Sequence, residues 1–236
     1  MQAALAGTPL LLEGDTGIGK SATIQAAAAQ SQAGLVRFNL SSHITVDDLF
    51  GKVALETKDG VEGFIFVPQP FTVAFETGSW LLLDELNLAP DNVLQSIEAA
   101  IDSGQLHLID SSSSTNHNRI ISMHPSFRLF AAQNPAVNEF RGKRETLSSS
   151  LLDRFQPLQL LPLPSSECAE IVANQLHPGS PDGLASIYAK RMVATHSAVS
   201  SCMSRKIGSS AQPPVLATFT LRDLLKWGAR CSMLLR

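Results

Sequence analysis

The stretch that most constrains this chain is Leu10–Ser21, LLLEGDTGIGKS. Its three consecutive leucines suit one buried parallel strand. Gly14, Asp15, Thr16, Gly17, Ile18, Gly19, Lys20 and Ser21 then fit the pattern G-x-x-x-x-G-K-[ST], and the residues that follow, TIQAAAAQ, are rich in helix formers. Strand, glycine loop, helix is the context in which this pattern binds phosphate. Glycine lets the backbone turn and approach an anion closely. Successive N–H groups, backed by the positive end of the following helix, then face the phosphate. Lys20 is placed to reach the β- and γ-phosphates, and the Ser21 hydroxyl to ligate Mg²⁺. The alternative is a glycine-rich turn with no ligand. The pattern arises by chance in roughly one chain in a hundred of this size, so the flanking strand and helix decide for a phosphate loop. The cofactors expected are ATP and Mg²⁺.

Bulk composition narrows the class further. The 236 residues are 44% hydrophobic and 17% charged, which fits one large domain or one with a small companion. A net charge of −3 gives no basic field, so no direct nucleic-acid readout is indicated. Cys168, Cys202 and Cys231 form no C-x-x-C, and the six histidines show no ligand spacing, so neither zinc nor a disulfide framework is expected. A reduced intracellular compartment fits that cysteine usage. The N-terminus lacks the features of a signal peptide, and no apolar run approaches membrane-spanning length, so no membrane partner is expected. The phosphate-loop strand begins almost at once. The chain therefore reads as a single module or as a fragment of something longer.

Along the chain the pattern is α/β, then helical. Gln2 to Ala6 reads as a short helix, residues 35–40 as a strand, and 46–50 as a short helix stopped by Gly51. Residues 52–69 read as an inserted pair of strands turning at Lys58, Asp59 and Gly60, and 70–78 as a helix ending in glycine. Residues 79–86, SWLLLDEL, lack polar alternation, as expected of a central strand covered on both faces. Pro90 to Ser103 follows as a helix with Val93, Leu94, Ile97, Ala100 and Ile101 on its apolar side. A hairpin spans 105–124 with the polar tip SSSSTNHN, then come strands at 127–132 and 156–161. Beyond Pro162 and Pro164 the pattern turns helical: SSECAEIVANQL capped near Ser166 and Glu167, a helix over 184–199, a loop over 200–214, and a last helix over 218–235. The domains expected are an α/β core over 1–161 and a helical lid over 162–236.

The candidate chemistry lies at strand ends. Asp84 and Glu85 close an apolar strand, and in an open parallel sheet ligands bind at the carboxyl ends of strands. Asp84 would hold Mg²⁺ and Glu85 would orient and deprotonate an attacking water. Asn134, at the end of FRLFAAQ, would contact the γ-phosphate and the water, or make a turn with Pro135. Arg154 in LLDRF is a candidate arginine finger given to a neighbouring subunit, or a surface pair with Asp153. Arg141, Lys143 and Arg144 are rival fingers or a solvated loop. Arg222 opens the last helix, where it would reach phosphates from a lid or lie on the surface. Trp80 and Trp227 read as core or interface residues.

This set resembles the AAA+ ATPases of the dynein-related, midasin-like branch. The matching stretches are GDTGIGKS (14–21), WLLLDELNLAPDNVLQSIEAAIDSGQL (80–106), FRLFAAQNP (127–135), SSSLLDRF (148–155) and FTLRDLLKW (219–227). The resemblance implies a P-loop parallel sheet sandwiched by helices, followed by a helical lid. It makes Gly14–Ser21 the Walker A loop, Asp84–Glu85 the Walker B pair, Asn134 sensor 1, Arg154 the finger and Arg222 sensor 2. Residues 52–69 become the insertion in helix 2, and 105–124 the pre-sensor hairpin. It also implies neighbouring AAA+ modules in a ring and a protein or ribonucleoprotein assembly as substrate, by midasin resemblance a pre-60S ribosomal particle in the nucleus or nucleolus. A MoxR-type chaperone maturing another complex, in the cytoplasm, is the related alternative. A nucleotide-binding structural module without turnover is the unrelated one. The residues fit other P-loop classes less well: there is no N-K-x-D for guanine and no L-S-G-G-Q of transporter ATPases.

Overall fold

A computed structural model describes residues 7–58, 61–110, 117–134, 147–176, 183–205 and 220–234. Five strands, β1 (Leu10–Glu13), β2 (Leu35–Asn39), β5 (Trp80–Asp84), β8 (Arg128–Gln133) and β9 (Gln156–Gln159), form one sheet in the order β2-β5-β8-β1-β9. Every pairing in it is parallel. Two antiparallel pairs lie outside that sheet: β3 (Gly51–Lys58) with β4 (Val61–Pro68), and β6 (Gln105–Asp110) with β7 (His117–Ser122).

The central strands β1, β5 and β8 are buried on both faces, which explains why they read as largely apolar runs, whereas the edge strands β2 and β9 are more exposed. Alternation divides the side chains between two cores. Leu10, Leu12, Trp80, Leu82, Phe130 and Ala132 pack with Ile24 and Ala28 of helix α1 (Lys20–Gln30). Leu11, Leu81, Leu83, Leu129 and Ala131 face the other way. There they meet α2 (Val46–Phe50), α3 (Pro70–Thr77) and α4 (Asp91–Ser103) through Leu49, Phe71, Phe75, Val93 and Ile97. Phe71 is the hub of that second core, with ring centroids 4.6 Å from Phe50, 5.8 Å from Phe75 and 6.0 Å from Phe127. Trp80 lies in the first core against Phe130, so it is a core residue; Trp227 is exposed.

Helix ends follow their capping residues. Thr45 and Asp48 form a reciprocal capping box at α2. Gly78 ends α3 at φ 79°, a left-handed conformation that glycine adopts without strain. A Cβ at this position would also sit 2.2 Å from the His124 ring. After β8, Ser148 caps a short α5 (Ser149–Leu152) by accepting the Leu151 N–H. That helix was not expected, because SSSLL carries too little periodicity to announce one turn.

The chain divides into two compact units: Met1–Gly14 with Lys20–Leu160, and Asp15–Gly19 with Leu161–Arg236. The helices of the second unit are α6 (Ser165–Leu176), α7 (Gly183–Arg205) and α8 (Leu221–Leu234). Their shared core is Ala169, Val172, Ala173, Ala189, Met192, Val193 and Leu224. Two expectations need correcting here. Ser166 and Glu167 lie inside the first turn of α6 rather than at its cap, since the helix already runs from Ser165. Helix α7 continues to Arg205 instead of giving way to a loop at 200. Serine costs only a few tenths of a kcal/mol in a helix, and the first breaker is Gly208. The expected helix at Gln2–Ala6, the serine tip of the second hairpin, and Arg141, Lys143 and Arg144 lie outside the described residues. Among the described residues, no helix is long and apolar enough to cross a membrane.

Phe71 is fully buried. Phe71→Ala should therefore destabilise the chain by about 3–5 kcal/mol through lost transfer energy and a residual cavity. In urea unfolding the midpoint should fall with an unchanged slope.

Candidate functional site

Strand alternation and register assemble the site. Asp84 follows Trp80 and Leu82 on the face of the sheet that α1 covers, and Asn134 follows Phe130 and Ala132 onto the same face. Strands β5 and β8 are in register, with Asp84 opposite Ala132. The glycine loop delivers Lys20 and Ser21, the first residues of α1, to that edge. Within the loop, Gly17 and Gly19 have φ of 84° and 100°, left-handed values that a side chain would strain.

Hydrogen bonds link these residues. Lys20 Nζ donates to the Gly14 carbonyl at 2.6 Å and to Asn134 Oδ1 at 2.7 Å. Asn134 Nδ2 donates to Glu85 Oε1 at 2.5 Å. Ser21 Oγ lies 3.0 and 3.1 Å from the two carboxylate oxygens of Asp84. Asp84 and Asn134 are buried, at 6% and 7% exposure. Glu85 Oε2 is buried as well and has no hydrogen-bond partner among the described residues. A buried carboxylate oxygen without a donor is costly, and a water there would relieve it.

The donor set suits the expected cofactors. A hydroxyl and a carboxylate are hard oxygen ligands, and Mg²⁺ typically takes one or two from the protein, with phosphates and waters completing the octahedron. Ser21 and Asp84 present such a pair of oxygens side by side. Among the described residues, no three His, Cys, Asp or Glu side chains cluster in a way that would suit zinc.

One charged residue at the site was missed in the sequence. Arg37, from β2, donates Nε to Asp84 Oδ2 at 2.6 Å and brings Nη2 to 2.5 Å from the same oxygen. The alternation of Leu35, Arg37 and Asn39 on one face of β2 was the available signal. It becomes informative only once β2 is known to lie beside β5.

Two other candidates remain. Arg154 makes its close ion pairs with residues other than Asp153. It forms a fork on Asp102, with Nε 2.6 Å from Oδ1 and Nη2 2.5 Å from Oδ2, and Nη1 lies 2.7 Å from Glu98. Nη1 also donates to the Ser150 carbonyl. Both carboxylates project from α4, so the pair ties the end of α5 to α4. Arg154 holds the Asp102 carboxyl below the usual carboxylate range, chiefly by hydrogen bonding. Arg222 is exposed in the first turn of α8. Its neighbour Asp223 reaches back to the Thr220 N–H at 3.0 Å, which lowers the Asp223 pKa and caps the helix.

Comparison with known proteins agrees with this geometry. Residues 9–155 match the AAA domain of the dynein-related subfamily, and residues 170–236 match the midasin AAA lid domain. Midasin of Dictyostelium discoideum is 32% identical over 221 residues, 92% of this chain and 4% of that protein. Midasin of Giardia intestinalis is 28% identical over 218 residues, again 92% and 4%. The chain thus spans a small fraction of these relatives. It is also 32% identical over 171 residues to the aerobic cobaltochelatase subunit CobS of Sinorhizobium, 70% of this chain and 49% of that one. Among solved structures, NtrX of Brucella abortus in complex with ADP aligns at a TM-score of 0.57 with 16% identity, covering 100% of this chain and 47% of that one. A proposed ATPase from Cytophaga hutchinsonii aligns at 0.58 with 16% identity, covering 98% and 64%. These likenesses show a P-loop α/β fold of the AAA+ type.

The Asp102–Arg154 fork gives a pH-dependent expectation. A carboxylate whose folded pKa is depressed stabilises the fold above its unfolded pKa and loses that contribution as pH falls through the folded value. Asp102→Asn should lower the melting temperature at pH 7. The gap to the parent should close as pH falls through and below the ordinary carboxylate range. A gap that persists under strong acid would mean that the pair does not carry the effect.

Proposed function

We propose a function for a chain that belongs to the dynein-related subfamily of AAA domains, and is an AAA+ ATPase module: it binds ATP with Mg²⁺, hydrolyses it, and uses the cycle to remodel a macromolecular assembly. The observation that carries this reading is the chain of hydrogen bonds from Lys20 through Asn134 to Glu85, beside the Ser21–Asp84 pair. The residues that this reading assigns to phosphate binding, metal binding and proton acceptance lie together at the carboxyl ends of β5 and β8.

Each side chain has a separate task. Backbone N–H groups of Gly14–Ser21, with Asp15, Thr16 and Ile18 filling the loop, cradle the phosphates. The Lys20 ammonium neutralises the terminal ones. Ser21 and Asp84 hold Mg²⁺, which when bound offsets the charge that grows on the phosphate oxygens. Glu85 accepts the proton of the attacking water, and Asn134 fixes the orientation of both. Arg222, from the helical unit, contributes a cation to the same nucleotide. Arg154 of a neighbouring module completes the site as an arginine finger, and to do so it must share or leave its fork with Asp102.

The match to the midasin lid favours a ring of tandem or assembled modules acting on a pre-60S ribosomal particle in the nucleus. The likeness to CobS favours a second reading, a MoxR-like chaperone that matures another protein complex.

Two experiments test the chemistry. Glu85→Gln should retain ATP binding and lose turnover, because an amide cannot take the proton. Hydrolysis at the parental rate would remove Glu85 from the role of base. Arg154→Ala should be inactive alone, a loss of roughly 10³–10⁵ if the arginine acts as fingers do in other P-loop enzymes. Mixing it with Lys20→Ala should restore some activity in an assembled sample, because one interface then joins an intact loop to an intact finger. A co-assembled mixture that stays inactive would rule out action in trans.

A further inference from the structure

We propose that Arg37 is a built-in counter-ion for Asp84 that competes with Mg²⁺, so that it sets the Mg²⁺ concentration at which the module accepts a metal–nucleotide complex. The inference rests on reading Asp84 as the Mg²⁺ ligand. Asp84 has a side-chain exposure of 8%, and a carboxylate that buried requires a cation. Both close nitrogens of Arg37 converge on the single oxygen Oδ2, at 2.6 and 2.5 Å. The Ser21 hydroxyl lies 3.0 Å from Oδ1 and 3.1 Å from Oδ2, so it and the guanidinium share Oδ2. A divalent ion bound between Ser21 and Asp84 would therefore meet a positive charge already in contact with its ligand. Two cations on one carboxylate repel, so metal entry favours release of Arg37.

Release is cheap for this residue. The Arg37 side chain is 50% exposed, and β2 is an edge strand of the sheet. Its guanidinium can turn outward and recover its hydration, whereas Asp84 cannot. The exchange is thus asymmetric: the carboxylate is always paired, by arginine before the metal arrives and by the metal afterwards. Arg37 keeps the vacant site from carrying an unpaired buried charge, and it raises the Mg²⁺ threshold in return.

Two measurements decide this. In the first, a fluorescent ADP analogue is titrated at a series of Mg²⁺ concentrations against the parent, Arg37→Met and Arg37→Lys. Arg37→Met should lower the Mg²⁺ concentration that gives half-maximal tightening by about tenfold, the scale of one hydrogen-bonded charge contact, with Arg37→Lys in between. Mg²⁺-free nucleotide affinity should change little. An unchanged Mg²⁺ dependence, or a higher Mg²⁺ requirement in Arg37→Met, would overturn the proposal; the latter would make Arg37 a residue that positions Asp84 for the metal. The second uses Mn²⁺ alone on nucleotide-free protein, read as the rise in melting temperature. Arg37→Met should start lower than the parent and rise further with Mn²⁺; equal responses would overturn the proposal. If no parent chain takes up nucleotide, the proposed function fails, and the Mn²⁺ measurement still decides the role of Arg37.

Discussion

Much of this structure answers to one constraint, the burial of the Asp84 carboxylate at the end of a hydrophobic strand. Taking an ion of that size out of water costs several kcal/mol even after relaxation, and only partners of opposite charge or strong donors repay it. The chain supplies the Ser21 hydroxyl from the helix after the phosphate loop and the Arg37 guanidinium from the adjacent strand. Both arrive because the sheet is parallel and in register: Asn39 stands opposite Asp84, and Arg37 lies two residues earlier on the same face. A slip of one residue in either strand would turn Arg37 away and leave the carboxylate unpaired. The electrostatics of the site therefore help to fix the register of the scaffold that builds it.

The legible parts of the fold were those whose signal is local. The run LLLEGDTGIGKS carries strand, loop and helix start in a dozen residues, and SWLLLDEL carries a buried strand with its acidic end. Both lie where those patterns place them. Asn134 was legible for the same reason, as a polar residue closing an apolar strand. Arg37 was not, because its meaning depends on a partner 47 residues away and on a strand order that skips from the second strand to the fifth. Arg154 shows the same limit. A helix surface bearing Glu98 and Asp102 reads as solvated charge, and nothing near Arg154 in the sequence points to Asp102, 52 residues earlier, or to Glu98 one turn before it. The over-early end given to α7 has another origin: serine-rich composition suggests a loop, but serine weakens a helix too little to stop one that is packed along its length.

The fork on Asp102 also bears on how a ring of such modules would work. A guanidinium held by two carboxylates has most of its donors committed, so it is oriented but poorly available to a phosphate. An arriving γ-phosphate would have to compete with Asp102 and Glu98 for it. Under the proposed finger role, that competition would make engagement of Arg154 sensitive to anything that shifts α4 relative to α5. Helix α4 begins shortly after Glu85, so the acidic end of β5 and the clamp on Arg154 are joined by one short stretch of chain and one helix.

The last structural problem is how two consecutive acidic residues serve one site. Along a regular strand, Asp84 and Glu85 would point to opposite faces, Asp84 toward α1 and Glu85 with Leu81 and Leu83 into the other core. The backbone avoids this by placing Glu85 at φ 58° and ψ 48°. A non-glycine residue in that left-handed region is uncommon and carries a cost of order 1–3 kcal/mol. What holds it there is the turn that follows, Leu86–Leu88, closed by the Leu88 N–H on the Glu85 carbonyl at 2.9 Å and anchored by the fully buried Leu86. The reversal brings the Glu85 carboxylate to within 2.5 Å of Asn134 Nδ2, so both acids join the hydrogen-bonded group of Lys20, Ser21 and Asn134. The strain has a chemical use. It separates the two carboxylates into different surroundings, one beside a hydroxyl and a guanidinium, the other beside an amide with a buried oxygen left unpaired.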